Sequence, residues 1–136
     1  MLRKTIISTL ISVMFILSVH AKVIKVVYYP NGSVKMEMIK LKKGIVEINQ
    51  YYPSGALFEK GYSKNGMLQG QWTRFDKDGN IIATAFYQNN AKIGSWNHYN
   101  RWSRSTSQVR YQNGKAVSYR KFDYSGRLIA LETKKW

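Results

Sequence analysis

Few side chains in this sequence could support catalysis. The chain contains two histidines, His20 and His98, and no cysteine. A single imidazole after residue 21 cannot build a multi-histidine metal site, and without a thiol no cysteine–histidine nucleophile can form within one chain. We therefore expect no metal site and no cofactor.

The acidic residues offer no persuasive catalytic pair either. Asp76 and Asp78 could share a strand face, as the two carboxylates of a glycosidase must. They precede Gly79, however, and this composition is typical of a turn. The letters Ser-x-x-Lys occur at 118–121, but that motif needs a helix and partner motifs that the sequence lacks. The sequence thus predicts a protein that is not an enzyme and has no catalytic residue.

Charge and aromatic content favour binding. The chain has 22 basic and seven acidic residues, with a formal net charge of +15. No acidic residue lies between Gly79 and Phe122, where basic and aromatic residues are interleaved. Such a pattern suits single-stranded nucleic acid or an anionic membrane surface, because rings stack or settle among head groups while cations follow phosphates. The candidate binding residues are Lys92, Trp96, Tyr99, Arg101, Trp102, Arg104, Arg110, Tyr111 and Arg120.

The N-terminus predicts export. Arg3 and Lys4 precede a run of 15 apolar or small residues, 5–19, and the segment closes on Ala21. This order is typical of a secretory signal peptide, and the run is shorter than the roughly 20 residues that a retained membrane anchor needs. We predict a signal peptide over 1–21 and a periplasmic, extracellular or envelope-associated protein. Export favours anionic lipid or an acidic cell-envelope polymer as the partner and makes nucleic acid an unexpected one.

Internal repeats organise the remaining sequence. Residues 51–74 align without gaps on residues 75–98, so that Tyr62 falls on Phe86 and Asn65 falls on Asn89. Partial copies precede and follow this pair, and the repeat is disturbed at 101–107. That segment is either a binding site or an insertion loop. The positions that we interpret as structural in the repeat are Gly55, Gly66, Gly70, Trp72, Gly79, Gly94 and Trp96.

Each repeat predicts one β-hairpin. Asn-Gly, Asp-Gly and Ser-Gly pairs suit tight turns, and two such turns per 24 residues leave two segments of strand length. We expect residues 22–136 to form one all-β domain, an elongated single-layered antiparallel meander of eight to ten strands. Gly70 and Trp72 lie two residues apart on one strand, and we predict that the glycine makes room for the ring.

The repeat resembles the MORN-repeat family, in the variant found in bacterial proteins grouped as YwqK-type antitoxins. The resemblance is carried by Tyr52, Gly55, Tyr62, Asn65, Gly66, Gly70, Trp72 and Phe75, and by their counterparts up to Tyr99. It implies an elongated β-sheet that binds or scaffolds, with membranes, phospholipids, protein partners or a homodimer as associations. An immunity-like protein partner is therefore the alternative to anionic lipid or polymer.

Overall fold

The computed structural model describes residues 21–133. The predicted signal peptide, apart from Ala21, lies outside the described residues, as do the last three positions of the chain. Within 21–133, no helix is both long and apolar enough to cross a bilayer.

Ten strands form one antiparallel sheet whose order follows the chain from first to last. This confirms the predicted all-β meander of hairpins. A single 3₁₀ turn, Lys42–Gly44, lies between the second and third strands. The strands are β1 Lys22–Tyr28, β2 Val34–Lys40, β3 Ile45–Tyr51, β4 Leu57–Lys64, β5 Met67–Phe75, β6 Ile81–Gln88, β7 Ala91–Asn100, β8 Ser105–Gln112, β9 Lys115–Phe122 and β10 Leu128–Thr133.

Two kinds of turn alternate along the sheet. At one end, two-residue turns place both central residues at positive φ, which Asn and Gly tolerate best. They are Asn65–Gly66, Asn89–Asn90 and Asn113–Gly114, and the longer connection between β2 and β3 contains a corresponding pair at positive φ, Lys43–Gly44. At the other end, a five-residue turn recurs in which the fourth residue, a glycine, donates its N–H to the first carbonyl. Its copies are Tyr29–Ser33, Tyr52–Ala56, Asp76–Asn80 and Asp123–Arg127.

The segment that interrupts the repeat is shorter than the predicted 101–107. Only residues 101–104 form a turn, because β8 already begins at Ser105. Ser103 replaces the turn glycine of the other copies, and the positive φ of 47° moves to Arg104. Ser105 is buried and its hydroxyl lies 2.7 Å from that of Ser103. The segment is therefore a compact turn at the sheet end.

No second layer covers the sheet within the described chain. Among residues 21–133 no hydrophobic residue is buried, whereas three polar residues are: Asn49, Ser63 and Ser105. Apolar side chains are instead half-covered by cross-strand neighbours on their own face, which is the unit of stabilisation in a sheet. Both faces consequently remain accessible to a partner.

Candidate functional site

Two tryptophans repeat one packing arrangement along the sheet. The Trp72 ring lies across Gly61 on β4, where an added Cβ would overlap the indole. Its Nε1–H donates to the Tyr62 carbonyl at 3.1 Å. One repeat later, Trp96 donates to the Phe86 carbonyl at the same distance. Each indole is thereby held against the strand that precedes its own.

The predicted role of Gly70 is wrong. A Cβ at Gly70 would meet nothing within 4 Å, so this glycine makes no room for a ring. Its φ of 65°, matched by 64° at Gly94, instead allows a bulge that L-residues adopt poorly. In that bulge the three residues 70–72 face the single residue Gly61. The glycine that accommodates the ring lies on the neighbouring strand.

Four aromatic rings form a continuous row across β5 to β8. The Trp72 and Tyr87 ring centroids are 6.3 Å apart, and Tyr87–Trp96 and Trp96–Tyr111 are each 5.0 Å apart. The first two contacts are edge-to-face, a favourable geometry for aromatic pairs. The Lys92 ammonium lies 4.6 Å from the Trp96 centroid and 5.2 Å from the Tyr111 centroid. We call these four rings the aromatic row and the side of the sheet that carries them the tryptophan face.

A groove of about 350 Å³ opens between the two indoles. Ala83 and Ala85 on β6 form its floor, Tyr87 closes one end, and Trp72 and Trp96 form its walls. Partial burial, and secondarily the Glu59 carboxylate, raise the pKa of the Tyr87 hydroxyl above its ordinary value. We call this feature the alanine groove.

Polar groups line the rim of the alanine groove. Arg74, Glu59 and His98 lie beside the alanines. The Arg74 Nη2 and Nε donate to Glu59 Oε1 at 2.8 and 3.1 Å, which neutralises that carboxylate. The groove therefore combines stacking surfaces with hydrogen-bond donors and acceptors, a composition typical of small-ligand sites.

A second cluster lies at the end of the sheet that carries the five-residue turns. Trp102 is 96% exposed and Tyr124 is 76% exposed. The Arg104 guanidinium carbon lies 5.0 Å from the Tyr124 ring centroid. Arg101 reaches back to the preceding turn, with Nη1 3.2 Å from Asp78 Oδ2. We call these four residues the turn edge.

The family comparison falls on the centre of this architecture. The MORN repeat variant family matches residues 68–89, from β5 through the Asp76–Asn80 turn to the end of β6. Residues 68–89 are a MORN repeat variant. This confirms the resemblance to the MORN-repeat family, while the narrower grouping with YwqK-type antitoxins stays a prediction. No curated protein matches the chain.

The MORN unit explains which residues recur. It contains the bulge glycine Gly70, the ring Trp72, the turn glycine Gly79 and the Tyr87 ring that separates the two indoles. MORN repeats are binding repeats and not a known enzyme family. Within residues 21–133, no three His, Asp or Glu side chains gather as a metal site would require.

The structure separates the nine candidate binding residues into three groups. Lys92, Trp96 and Tyr111 lie together on the tryptophan face. Arg101, Trp102 and Arg104 lie at the turn edge. The strand register places the remaining three on the opposite face of the sheet: Tyr99, Arg110 and Arg120. One ligand in contact with all nine would have to wrap around the end of the sheet.

Several residues of these surfaces could not be identified from the sequence. Tyr87 joins the aromatic row, and Tyr124 joins the turn edge from a turn far along the chain. Gly61 carries a detectable signal, because an isolated glycine inside a strand often marks close approach of another group. The residue 24 positions later is Ala85, which is again small.

Proposed function

We propose that the chain is an exported, non-enzymatic binding module of the cell envelope that contacts anionic lipid through the turn edge. The observation that carries this proposal is Trp102, an indole that is almost completely exposed at a turn, with Arg101 immediately before it and Arg104 two residues after it. Tryptophan and tyrosine favour the head-group region of a membrane, where the ring meets apolar chains and the N–H or O–H stays hydrated.

The charges of the turn edge support the same partner. The carboxylates of Asp76 and Asp78 lie 3.8 and 3.2 Å from the Arg101 guanidinium and partly neutralise it. Within residues 21–133, Arg104 has no carboxylate within ion-pair distance and contacts the Tyr124 ring instead. Arg104 is therefore the more available cation. A basic residue near an anionic surface contributes about 1 kcal/mol to binding, and salt weakens the contribution.

Vesicle flotation tests the proposal with the chain from residue 22 onward. We expect binding to vesicles that contain phosphatidylglycerol, no binding to phosphatidylcholine alone, and release by high salt. Trp102→Ala and Arg104→Gln should each weaken binding about fivefold or more, and Arg101→Gln should weaken it less.

A matched control separates the turn edge from net charge. The double variant Lys42→Gln with Lys64→Gln removes two charges from the end of the sheet that carries the two-residue turns, and we expect binding within about twofold of the wild type, because these charges lie at the opposite end of the strands from the turn edge. An equal loss in this variant and in Arg104→Gln would contradict a defined contact surface. Absence of binding to either vesicle would overturn the lipid proposal and favour the protein-partner alternative.

A further inference from the structure

The alanine groove is a second candidate site, separate from the turn edge and independent of the function proposed for it. We propose that this groove binds a sugar unit of an acidic glycan. Its volume of about 350 Å³ lies within the range of sites for small ligands. Ala83 and Ala85 keep the floor low, while the rings on β5 and β7 rise on either side.

The spacing of the walls suits a ring-shaped unit. The two indoles lie on strands two apart in the sheet, which corresponds to roughly 9.6 Å at the usual strand separation. Each indole is fixed by its hydrogen bond to the preceding strand, so the walls are preorganised. A ligand would not have to order these rings on binding.

The lining matches the two-sided chemistry of a sugar. A pyranose has an apolar C–H face that can pack on an indole and hydroxyl groups at its edge that need partners. Arg74 supplies donors and Glu59 supplies a carboxylate acceptor, and His98 lies beside the same alanines.

The charge around the groove favours an acidic sugar. Glu59 is the acidic residue of the lining, and Arg74 neutralises it. Lys92 adds a cation above the rings of Trp96 and Tyr111. The next acidic residue along the chain after Asp78 is Asp123. The same positive charge opposes a second copy of the chain as the occupant, because like charges repel.

Titration with defined probes tests this proposal on the chain from residue 22 onward. The probes are a hyaluronan oligosaccharide as the acidic glycan, a chito-oligosaccharide as the neutral one, and single-stranded oligothymidylate. Calorimetry should show binding of the hyaluronan oligosaccharide, weaker binding of the chito-oligosaccharide and no binding of oligothymidylate.

Ala83→Leu is the decisive variant, because it fills the floor while both indoles stay in place. We expect it to weaken hyaluronan binding by about tenfold or more, comparable with loss of one stacked ring. Ala91→Leu, the same change at an exposed strand start, is the control and should bind as the wild type does. Unchanged unfolding curves would show that both variants fold.

The results of the glycan titration can be told apart from a failure of the lipid proposal. Trp102→Ala lies outside the groove, so it should leave glycan binding unchanged even though it weakens vesicle binding. Hyaluronan binding that Ala83→Leu does not alter would overturn the groove as the site. Equal binding of the neutral and acidic glycans would overturn the charge argument, and binding of oligothymidylate alone would replace a sugar with a nucleobase.

Discussion

At the scale of single residues, the sheet depends on small side chains beneath large rings. Gly61 allows the Trp72 ring to lie across β4, and Ala85 occupies the equivalent repeat position before Trp96. Both indoles keep a 3.1 Å hydrogen bond to a backbone carbonyl. An added Cβ at Gly61 would overlap the Trp72 ring, so any side chain there would displace the ring.

Gly61→Val should destabilise the fold by about 1–3 kcal/mol, the usual consequence of overpacking. Gly61→Ala should also destabilise the fold, because its Cβ alone would overlap the Trp72 ring, but by less than the larger valine. The measurement is the free energy of unfolding in urea. The control is Gln71→Val, a change at an exposed position of the next strand. Wild-type stability in Gly61→Val would contradict the packing described for Trp72.

The hydrogen bonds of Asp76 predict that the stability of the fold depends on pH. Hydrogen bonds from the Asn80 side chain and backbone, and the nearby Arg101 guanidinium, lower the pKa of Asp76 below 3.8. A lowered pKa in the folded state contributes stability above the ordinary pKa, and this contribution is lost as pH falls through the folded value. Asp76→Asn should therefore flatten the decrease in melting temperature between about pH 5 and pH 2. An unchanged pH profile would contradict this assignment.

At the scale of elements, the two-residue turns determine where each hairpin reverses. All three within residues 21–133 use Asn at the first central position, whereas the longer fourth connection at this end, between β2 and β3, has Lys43 at the corresponding position, with a φ of 60°. A left-handed conformation costs a typical L-residue roughly 1–2 kcal/mol and costs Asn less. Of the four connections, Lys43–Gly44 therefore carries the largest backbone cost.

Lys43→Asn should raise the free energy of unfolding by about 0.5–1 kcal/mol, because it relieves this backbone cost. Lys42→Asn removes the same charge at the neighbouring position, outside the positive-φ pair, and serves as the control. Both variants are compared in urea at one salt concentration. A gain of equal size in Lys42→Asn would attribute the effect to charge and not to the turn.

The strands and turns could be predicted from the sequence, but which side chains share a face of the sheet could not. Asn-Gly and Asp-Gly pairs mark the turns, and the aromatic and β-branched residues between them mark the strands. The rule that successive side chains alternate between the two faces of a strand fails at Gly70 and Gly94. Each of these glycines lies in a bulge where three residues face one residue of the neighbouring strand. The aromatic row and the alanine groove depend on that shifted register. This is why Tyr87 and Ala83 do not stand out in the sequence.

At the scale of the whole molecule, an open sheet with a large positive charge must obtain its specificity from local surfaces. No second layer covers either face within residues 21–133. Net charge attracts many anions but does not select among them. The turn edge and the alanine groove differ in this respect, because each combines cations with aromatic rings in a defined geometry. We therefore expect two separable binding activities on one scaffold.

The fluorescence of Trp102 in the presence of vesicles tests most directly whether the turn edge inserts into anionic lipid. The signal of Trp102 is the difference between wild type and Trp102→Phe, which removes the contribution of the other tryptophans. We expect a blue shift of this difference spectrum with phosphatidylglycerol vesicles at low salt, which high salt reverses and which phosphatidylcholine vesicles do not produce. A difference spectrum that stays at the wavelength of a water-exposed indole, under conditions in which the protein floats with the vesicles, would contradict insertion of the turn edge.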